Sequence, residues 1–172
     1  MQAPERRLGS AFYPLEIIFE IGNFPHRRMV LELLAQSNYL SKMHQPLILA
    51  VDDDDDNLEL LTEVLYPLNC KIVTANDGRS TMSIAQQRHP DLILLDVLLP
   101  DICGTEVARM LKQNPQTQDI TVIAVTALAT AEDRESLLAA GCSAYISKPY
   151  MLDDLEAVIC RYLGLNPTLA FV

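Results

Sequence analysis

The sequence predicts an α/β fold: a five-stranded parallel sheet with helices on both faces. Three observations lead there. From Pro46 onward, short Leu-rich or β-branched runs alternate with amphipathic segments, the pattern of repeated βα units. One run, Leu92 to Leu95, is apolar without a break, as expected of a strand covered on both sides. Another, Leu47 to Val51, passes with no turn residue into five aspartates, Asp52 to Asp56, so a core strand ends in a block of negative charge. Like charges packed so closely repel, and a fold that keeps them there most simply holds a cation.

The first strand is predicted at 47–51. The helix after it carries Leu58, Leu61 and Leu65 on one face and stops near Pro67. The second strand is predicted at 70–74, with Asn76, Asp77 and Gly78 turning into a helix that ends around His89 and Pro90. Leu92 to Leu95 is the third and central strand. Beyond Pro100 to Gly104, Val107, Met110 and Leu111 mark a third helix, and 122–125 is the fourth strand, ahead of Thr126. A fourth helix runs through Leu137 and Leu138 to a cap at Gly141. The fifth strand is 144–147, and Leu152, Leu155, Val158, Ile159 and Tyr162 give the last helix its apolar stripe.

At 172 residues and 49% hydrophobic content, the chain has enough apolar material for a packed core. Lys plus Arg number 13 against 23 Asp plus Glu, a formal charge of -10 that repels phosphate backbones and anionic membranes. Direct binding to nucleic acid or membrane is therefore not expected. The four cysteines, Cys70, Cys103, Cys142 and Cys160, form no CxxC pair and have no histidine at metal spacing, so they read as small apolar side chains in a reducing compartment. No apolar run approaches the roughly 18 residues of a membrane helix. Glu16 and Glu20 interrupt the N-terminal stretch around Ile17, so no signal peptide is read, and the expected location is cytoplasmic.

Residues 1–45 fall outside the repeating pattern. Arg6, Arg7, Arg27, Arg28 and Lys42 against Glu5, Glu16, Glu20 and Glu32 give them a net +1, which leaves -11 for residues 46–172. The expected division is an N-terminal extension at 1–45, a globular domain at 46–165 and a short tail at 166–172. Within the extension residues 28–39 could form a helix, and Met43 is read as the true start of translation.

In an open parallel sheet, ligands gather beyond the carboxyl ends of the strands. Reading off the residues there gives Asp52 and Asp53, then Asp96, Thr126 and Lys148. Each has an ordinary use in a turn, a strand or a solvated surface. Asp54, Asp55 and Asp56 are given theirs: the cap and first turn of the first helix, where they complement its dipole. For the others, chance would have to place three carboxylates, a hydroxyl and an ammonium at one sheet edge.

At these residues the sequence resembles the receiver domain of two-component response regulators, the CheY-like family, over about residues 46–163. The matching motifs are LILAVDDDDDN, DLILLDVLLPDICG, VIAVTALA and AYISKPY, in the family's order. The spacings are 43 residues from Asp53 to Asp96, 30 from Asp96 to Thr126 and 52 from Asp96 to Lys148. The resemblance implies a flavodoxin-like, doubly wound sheet of strand order 2-1-3-4-5. It implies that Asp96 is the phosphoacceptor, and that Asp52, Asp53, Asp96 and the backbone carbonyl of Leu98 hold Mg²⁺. It further implies that Lys148 pairs with the phosphoryl group, that Thr126 moves to bond it beside the small Ala127, that Tyr145 is the switch aromatic, and that the bond before Pro149 is cis.

The implied partners are a histidine kinase or a histidine phosphotransfer protein upstream and a protein target downstream, with a phosphorylation-dependent homodimer as a further form of output. The chain would catalyse only its own phosphorylation and dephosphorylation and would not be an enzyme otherwise. Only nine residues follow Leu163, so no DNA-binding domain is expected after it. The leucines at 98 and 128 offer no group to orient an attacking water, which predicts slow loss of phosphate. A Mg²⁺-dependent aspartyl phosphatase of the haloacid dehalogenase type is the alternative, since it also uses Asp, Thr, Lys and an acidic pair. There, however, the nucleophile comes first and the acidic pair last. A calcium loop through Asp52, Asp54, Asp56 and Glu63 is rejected, because Asn57 stands where its glycine is required and a strand, not a helix, precedes it.

Overall fold

The structure is a computed structural model that describes residues 5–8, 11–14, 45–127 and 130–165. The chain divides into two compact units, Met1–His44 and Gln45–Val172. In the first unit, Glu5–Leu8 and Ala11–Pro14 pair antiparallel, with Glu5 opposite Pro14 and Leu8 opposite Ala11. The helix expected within 28–39, the start at Met43 and the tail from 166 lie outside the described residues.

The second unit alternates strand and helix. In chain order it comprises β1 (Leu47–Val51), α1 (Asp55–Leu65), β2 (Lys71–Ala75), α2 (Gly78–Arg88), β3 (Leu92–Leu95), α3 (Gly104–Gln113), β4 (Thr121–Thr126), α4 (Ala131–Ala139), β5 (Ala144–Ser147) and α5 (Leu152–Leu163). All strand pairings are parallel and the order is β2-β1-β3-β4-β5, the predicted 2-1-3-4-5 arrangement. Alternate residues of the central strands point to opposite faces. Leu49, Val51, Ile93, Leu95, Val122 and Ala124 meet Ala85, Val107, Leu111 and Leu137 from α2, α3 and α4. Ile48, Ala50, Leu92, Leu94, Ile123 and Val125 meet Leu58, Leu61, Leu65, Leu155 and Ile159 from α1 and α5. The two-sided burial explains why β3 reads as a continuous apolar run.

Helix ends follow local chemistry. Asp54 caps α1 by accepting from the Asp56 N–H at 2.9 Å, and Asp55 and Asp56 occupy the first turn, the role expected for these three. Asp77 caps α2. After α4, the Gly141 N–H reaches the Leu138 carbonyl and the Cys142 N–H reaches the Leu137 carbonyl, a Schellman closure that Gly141 permits with φ +100. Two apolar stripes differ from expectation. Met110 of α3, and Leu152 and Tyr162 of α5, are substantially exposed, while Ala108 and Cys160 are buried in their stead. Leu152 and Tyr162 lie in the first and last turns of α5, beyond the buried Leu155 and Ile159, and the Tyr162 hydroxyl donates to the Ser143 carbonyl at 2.6 Å.

Candidate functional site

Because α1 crosses to one face of the sheet and α3 to the other, a crevice opens between the ends of β1 and β3. Asp52 and Asp53 follow β1, Asp96 follows β3 and Lys148 follows β5. Thr126 is the last residue of β4 and not the one after it, since it continues the ladder opposite Ser147. Ligand oxygens of Asp52, Asp53 and Asp96 all lie within 4.8 Å of one another. Asp52 and Asp96 are buried and Asp53 is exposed, so the cluster has a closed floor and an open side. Three hard carboxylate oxygens converging in this way suit Mg²⁺, which takes few protein ligands and retains water.

Lys148 Nζ bridges the two buried carboxylates, donating to Asp52 Oδ2 at 2.5 Å and to Asp96 Oδ2 at 2.7 Å. Burial pulls the lysine's pKa down, but hydrogen bonds and charge from Asp52 and Asp96 outweigh it and hold the ammonium above its ordinary 10.5. It is a fixed cation. Its backbone N–H donates to the Thr126 carbonyl at 2.8 Å, and its bond to Pro149 is cis. Thr126 is fully buried, while Ala127 beside it is exposed. Tyr145 packs partly buried against the core face that α4 covers, with the Arg134 guanidinium 5.3 Å from its ring centroid. The Leu98 N–H donates to Asp96 Oδ1 at 3.1 Å and its side chain is 53% exposed; Leu128 lies outside the described residues.

The structure adds supporting residues that sequence reasoning missed. Asp52 Oδ1 accepts from the Asp54 N–H and from Asn57 Nδ2. Gly104 lies directly against the main chain of Asp96 and Val97. Asp101 accepts from the Gly78, Arg79 and Ile102 N–H groups, clipping the segment after β3 to the start of α2; these bonds, Gly78's foremost, hold its carboxyl below the ordinary 3.8. The phenol of Tyr150 is pushed up by burial, with Lys148 acting against that shift and Asp52 and Asp96 reinforcing it. The one sequence signal was Asn57, a carboxamide at the end of an acidic run.

Fold and site together define a flavodoxin-like α/β domain with an acidic crevice and a fixed lysine at its switch point. Residues 48–160 match the model of the response regulator receiver domain, and the chain belongs to that family. It is 36% identical over 117 residues to the polar-differentiation response regulator DivK of Brucella ovis, covering 68% of this chain and 95% of the relative. Among solved structures it is similar to the receiver domain of a sensor histidine kinase from Pseudomonas aeruginosa PAO1, determined with a magnesium ion coordinated in its active site cleft. That match has 29% identity and a TM-score of 0.65, and covers 70% of this chain and 99% of the other. A CheY-like receiver domain protein from Methanospirillum hungatei is likewise 29% identical, with a TM-score of 0.66, covering 70% of this chain and 95% of that one. The chain is thus a receiver of two-component signalling, a class that works with histidine kinases or phosphotransfer proteins and with downstream targets. The matches lend nothing to the phosphatase alternative. Among the described residues, no helix is long and apolar enough to cross a membrane.

Proposed function

We propose that this receiver accepts a phosphoryl group on Asp96, with Mg²⁺, from a histidine kinase or a histidine phosphotransfer protein, and converts that event into altered binding of a protein target. The observation that carries this reading is Lys148 Nζ held between buried Asp52 and Asp96, beside exposed Asp53. Asp52, Asp53, Asp96 and the Leu98 carbonyl would hold the ion, as the magnesium-bound Pseudomonas receiver encourages. When bound, Mg²⁺ offsets negative charge on the oxygens of the transferring group.

In the transfer, the P–N bond of the donor's phosphohistidine breaks, its electron pair leaves with the imidazole nitrogen, and a carboxylate oxygen of Asp96 bonds to phosphorus. A carboxylate is a weak nucleophile, so the protein contributes chiefly placement and charge. Lys148, anchored through its backbone to the end of β4, presents its ammonium to a phosphoryl oxygen without giving up a proton. Ala127 keeps the approach clear, and Thr126 supplies a hydroxyl to the phosphoryl group. Movement of Thr126 vacates space that Tyr145 enters, remodelling the surface of α4, β5 and α5. Leaving the Arg134 guanidinium makes α4 part of that response. The chain acts as a switch, not as an enzyme on a separate substrate, and works in the cytoplasm through protein partners.

The test is incubation with acetyl phosphate and Mg²⁺, read by intact mass. The wild type gains one phosphoryl group and Asp96→Asn gains none. A label that persists in the variant removes Asp96 as the acceptor.

A further inference from the structure

The backbone donors in the first turn of α2 are met by two acids from different parts of the chain. Asp77, its own cap, accepts from the Ser80 N–H at 2.6 Å. The Gly78 and Arg79 N–H groups go instead to Asp101, at 2.7 and 3.1 Å, in the segment between β3 and α3. The same carboxylate accepts from the Ile102 N–H at 2.8 Å, and the helix dipole favours its negative charge. The Arg79 guanidinium adds little, standing 3.9 Å away on a side chain that is 83% exposed.

The segment from Asp96 to Gly104 is thereby held at its base and at its tip. At the base, the Gly104 N–H donates to the Val97 carbonyl at 2.9 Å; at the tip, Asp101 is anchored on α2. Between them lies Leu98, whose N–H donates to Asp96 Oδ1 and whose carbonyl is read as part of the cation site. From that carbonyl to Asp101 the chain runs through Leu99 and Pro100, and both are stiff. The proline ring fixes its own φ, and the residue before a proline is confined to extended backbone. Leu99 and Ile102 also pack half-buried against the core face that α2, α3 and α4 cover. Apolar contacts of that kind set depth but not direction, whereas hydrogen bonds are directional. We infer that Asp101 is a positioning residue for the phosphorylation site: by joining the tip of the segment to the start of α2, it fixes the direction in which the Leu98 carbonyl is presented to the cation. The inference rests on the reading of the crevice as a cation site that includes this carbonyl, and it adds a residue from outside the acidic set.

The experiment is calorimetric titration of the full chain with Mg²⁺, together with amide hydrogen exchange in the absence of the ion, in wild type, Asp101→Ala and Asp77→Ala. Both variants take an acceptor from the first turn of α2, but only Asp101→Ala releases the tip of the segment. Asp101→Ala is expected to raise the Mg²⁺ Kd about fivefold, the lower end of the cost of re-ordering one residue's backbone when the ion binds, and to speed exchange at the Leu98 N–H. Asp77→Ala is expected to lower stability as the loss of a helix cap does, and to leave both readings at their wild-type values. An Mg²⁺ Kd unchanged in Asp101→Ala, or raised equally in Asp77→Ala, overturns the proposal. Should circular dichroism find Asp101→Ala unfolded, Asp101→Asn, with one acceptor oxygen in place of two, is expected to shift both readings the same way, and wild-type values there overturn the proposal too. Wild-type protein that takes up no Mg²⁺ refutes the cation-site reading and the inference with it, whereas Mg²⁺ bound equally well by wild type and Asp101→Ala refutes the inference alone.

Discussion

Replacing Gly104 with alanine tests how the segment after β3 holds Asp96. Gly104 opens α3 with its N–H on the Val97 carbonyl at 2.9 Å. A Cβ there would stand 2.3 Å from the Asp96 carbonyl oxygen, 2.6 Å from Val97 Cα and 3.0 Å from the Asp96 carbonyl carbon. All three are main-chain atoms, so no flexible side chain can swing aside, and either α3 or residues 96–97 must shift by about 1 Å to reach normal contact. Two effects compete. Alanine improves helix propensity by up to about 1 kcal/mol, while forcing a methyl group into packed main chain costs about 3 kcal/mol, the upper end of the usual range. The expected net loss is roughly 2 kcal/mol, measured by urea unfolding at neutral pH without Mg²⁺. The same shift moves Asp96 relative to Lys148, so phosphorylation by acetyl phosphate should slow even where the variant is fully folded. Gly164→Ala calibrates the result. Gly164 has φ +65 with nothing within 4 Å of a Cβ, so that change should cost about 1 kcal/mol through backbone conformation and leave phosphorylation alone. An unfolding midpoint for Gly104→Ala at or above wild type refutes the steric argument. A destabilised variant that is phosphorylated at the wild-type rate refutes its link to Asp96.

Lys148→Met leaves Asp52 and Asp96 buried without their cation. With one-fifth of the lysine side chain exposed, the loss should be about 2 kcal/mol, below the usual cost of halving a buried pair, and millimolar Mg²⁺ should recover part of it in the unfolding midpoint. Burial raises the Cys142 thiol from 9.0 to about 11, against a smaller opposing pull from Lys112. Above pH 9 the unfolded chain ionises this thiol while the folded one cannot, so its contribution is complete below pH 9 and is lost as pH rises towards 11, by up to about 3 kcal/mol. Cys142→Ala should flatten that alkaline decline, and an equally steep decline in the variant rules the thiol out. With Leu98 half-exposed beside Asp96, the phosphorylated protein should decay slowly; a lifetime of seconds contradicts this.

The central strands and helix starts were legible because their signals are local. Burial on both faces forces the run Leu92 to Leu95, and the turn residues Asn76, Asp77 and Gly78 mark where α2 begins, with Asp77 as its cap. Boundaries were not, because partners set them. β2 begins at Lys71 and not at Cys70, since the ladder starts with Leu47 opposite Lys71 and ends with Val51 opposite Ala75. β4 runs one residue further at each end than its apolar core, because Thr121 pairs with Leu92 and Thr126 with Ser147. Asp52, Asp53, Asp96 and Lys148 were legible as residues placed just past strand ends. The groups that orient them were not, since Asn57, Gly104 and Asp101 act through contacts that have no periodicity to betray them.

The run of five aspartates survives folding because its members meet different partners. Asp52 turns inward onto Lys148 and the Asn57 amide; Asp53 stays in solvent at the crevice. Asp54, Asp55 and Asp56 stand at the start of α1, where the helix dipole favours negative charge. Asp54 joins the two halves, for its carboxylate caps the helix while its N–H holds Asp52 Oδ1. The start of α1 therefore does more than follow β1: it fixes the orientation of the buried acid. Asp96 is fixed on its own side by the Leu98 N–H and by the close approach of Gly104. Each acid thus takes its orientation from the segment that follows it, and Lys148, arriving from β5, finds the two inner oxygens already facing one point. A site held in this way suits the transfer proposed for Asp96, because the two acids and Lys148 are already in place before a phosphoryl group arrives.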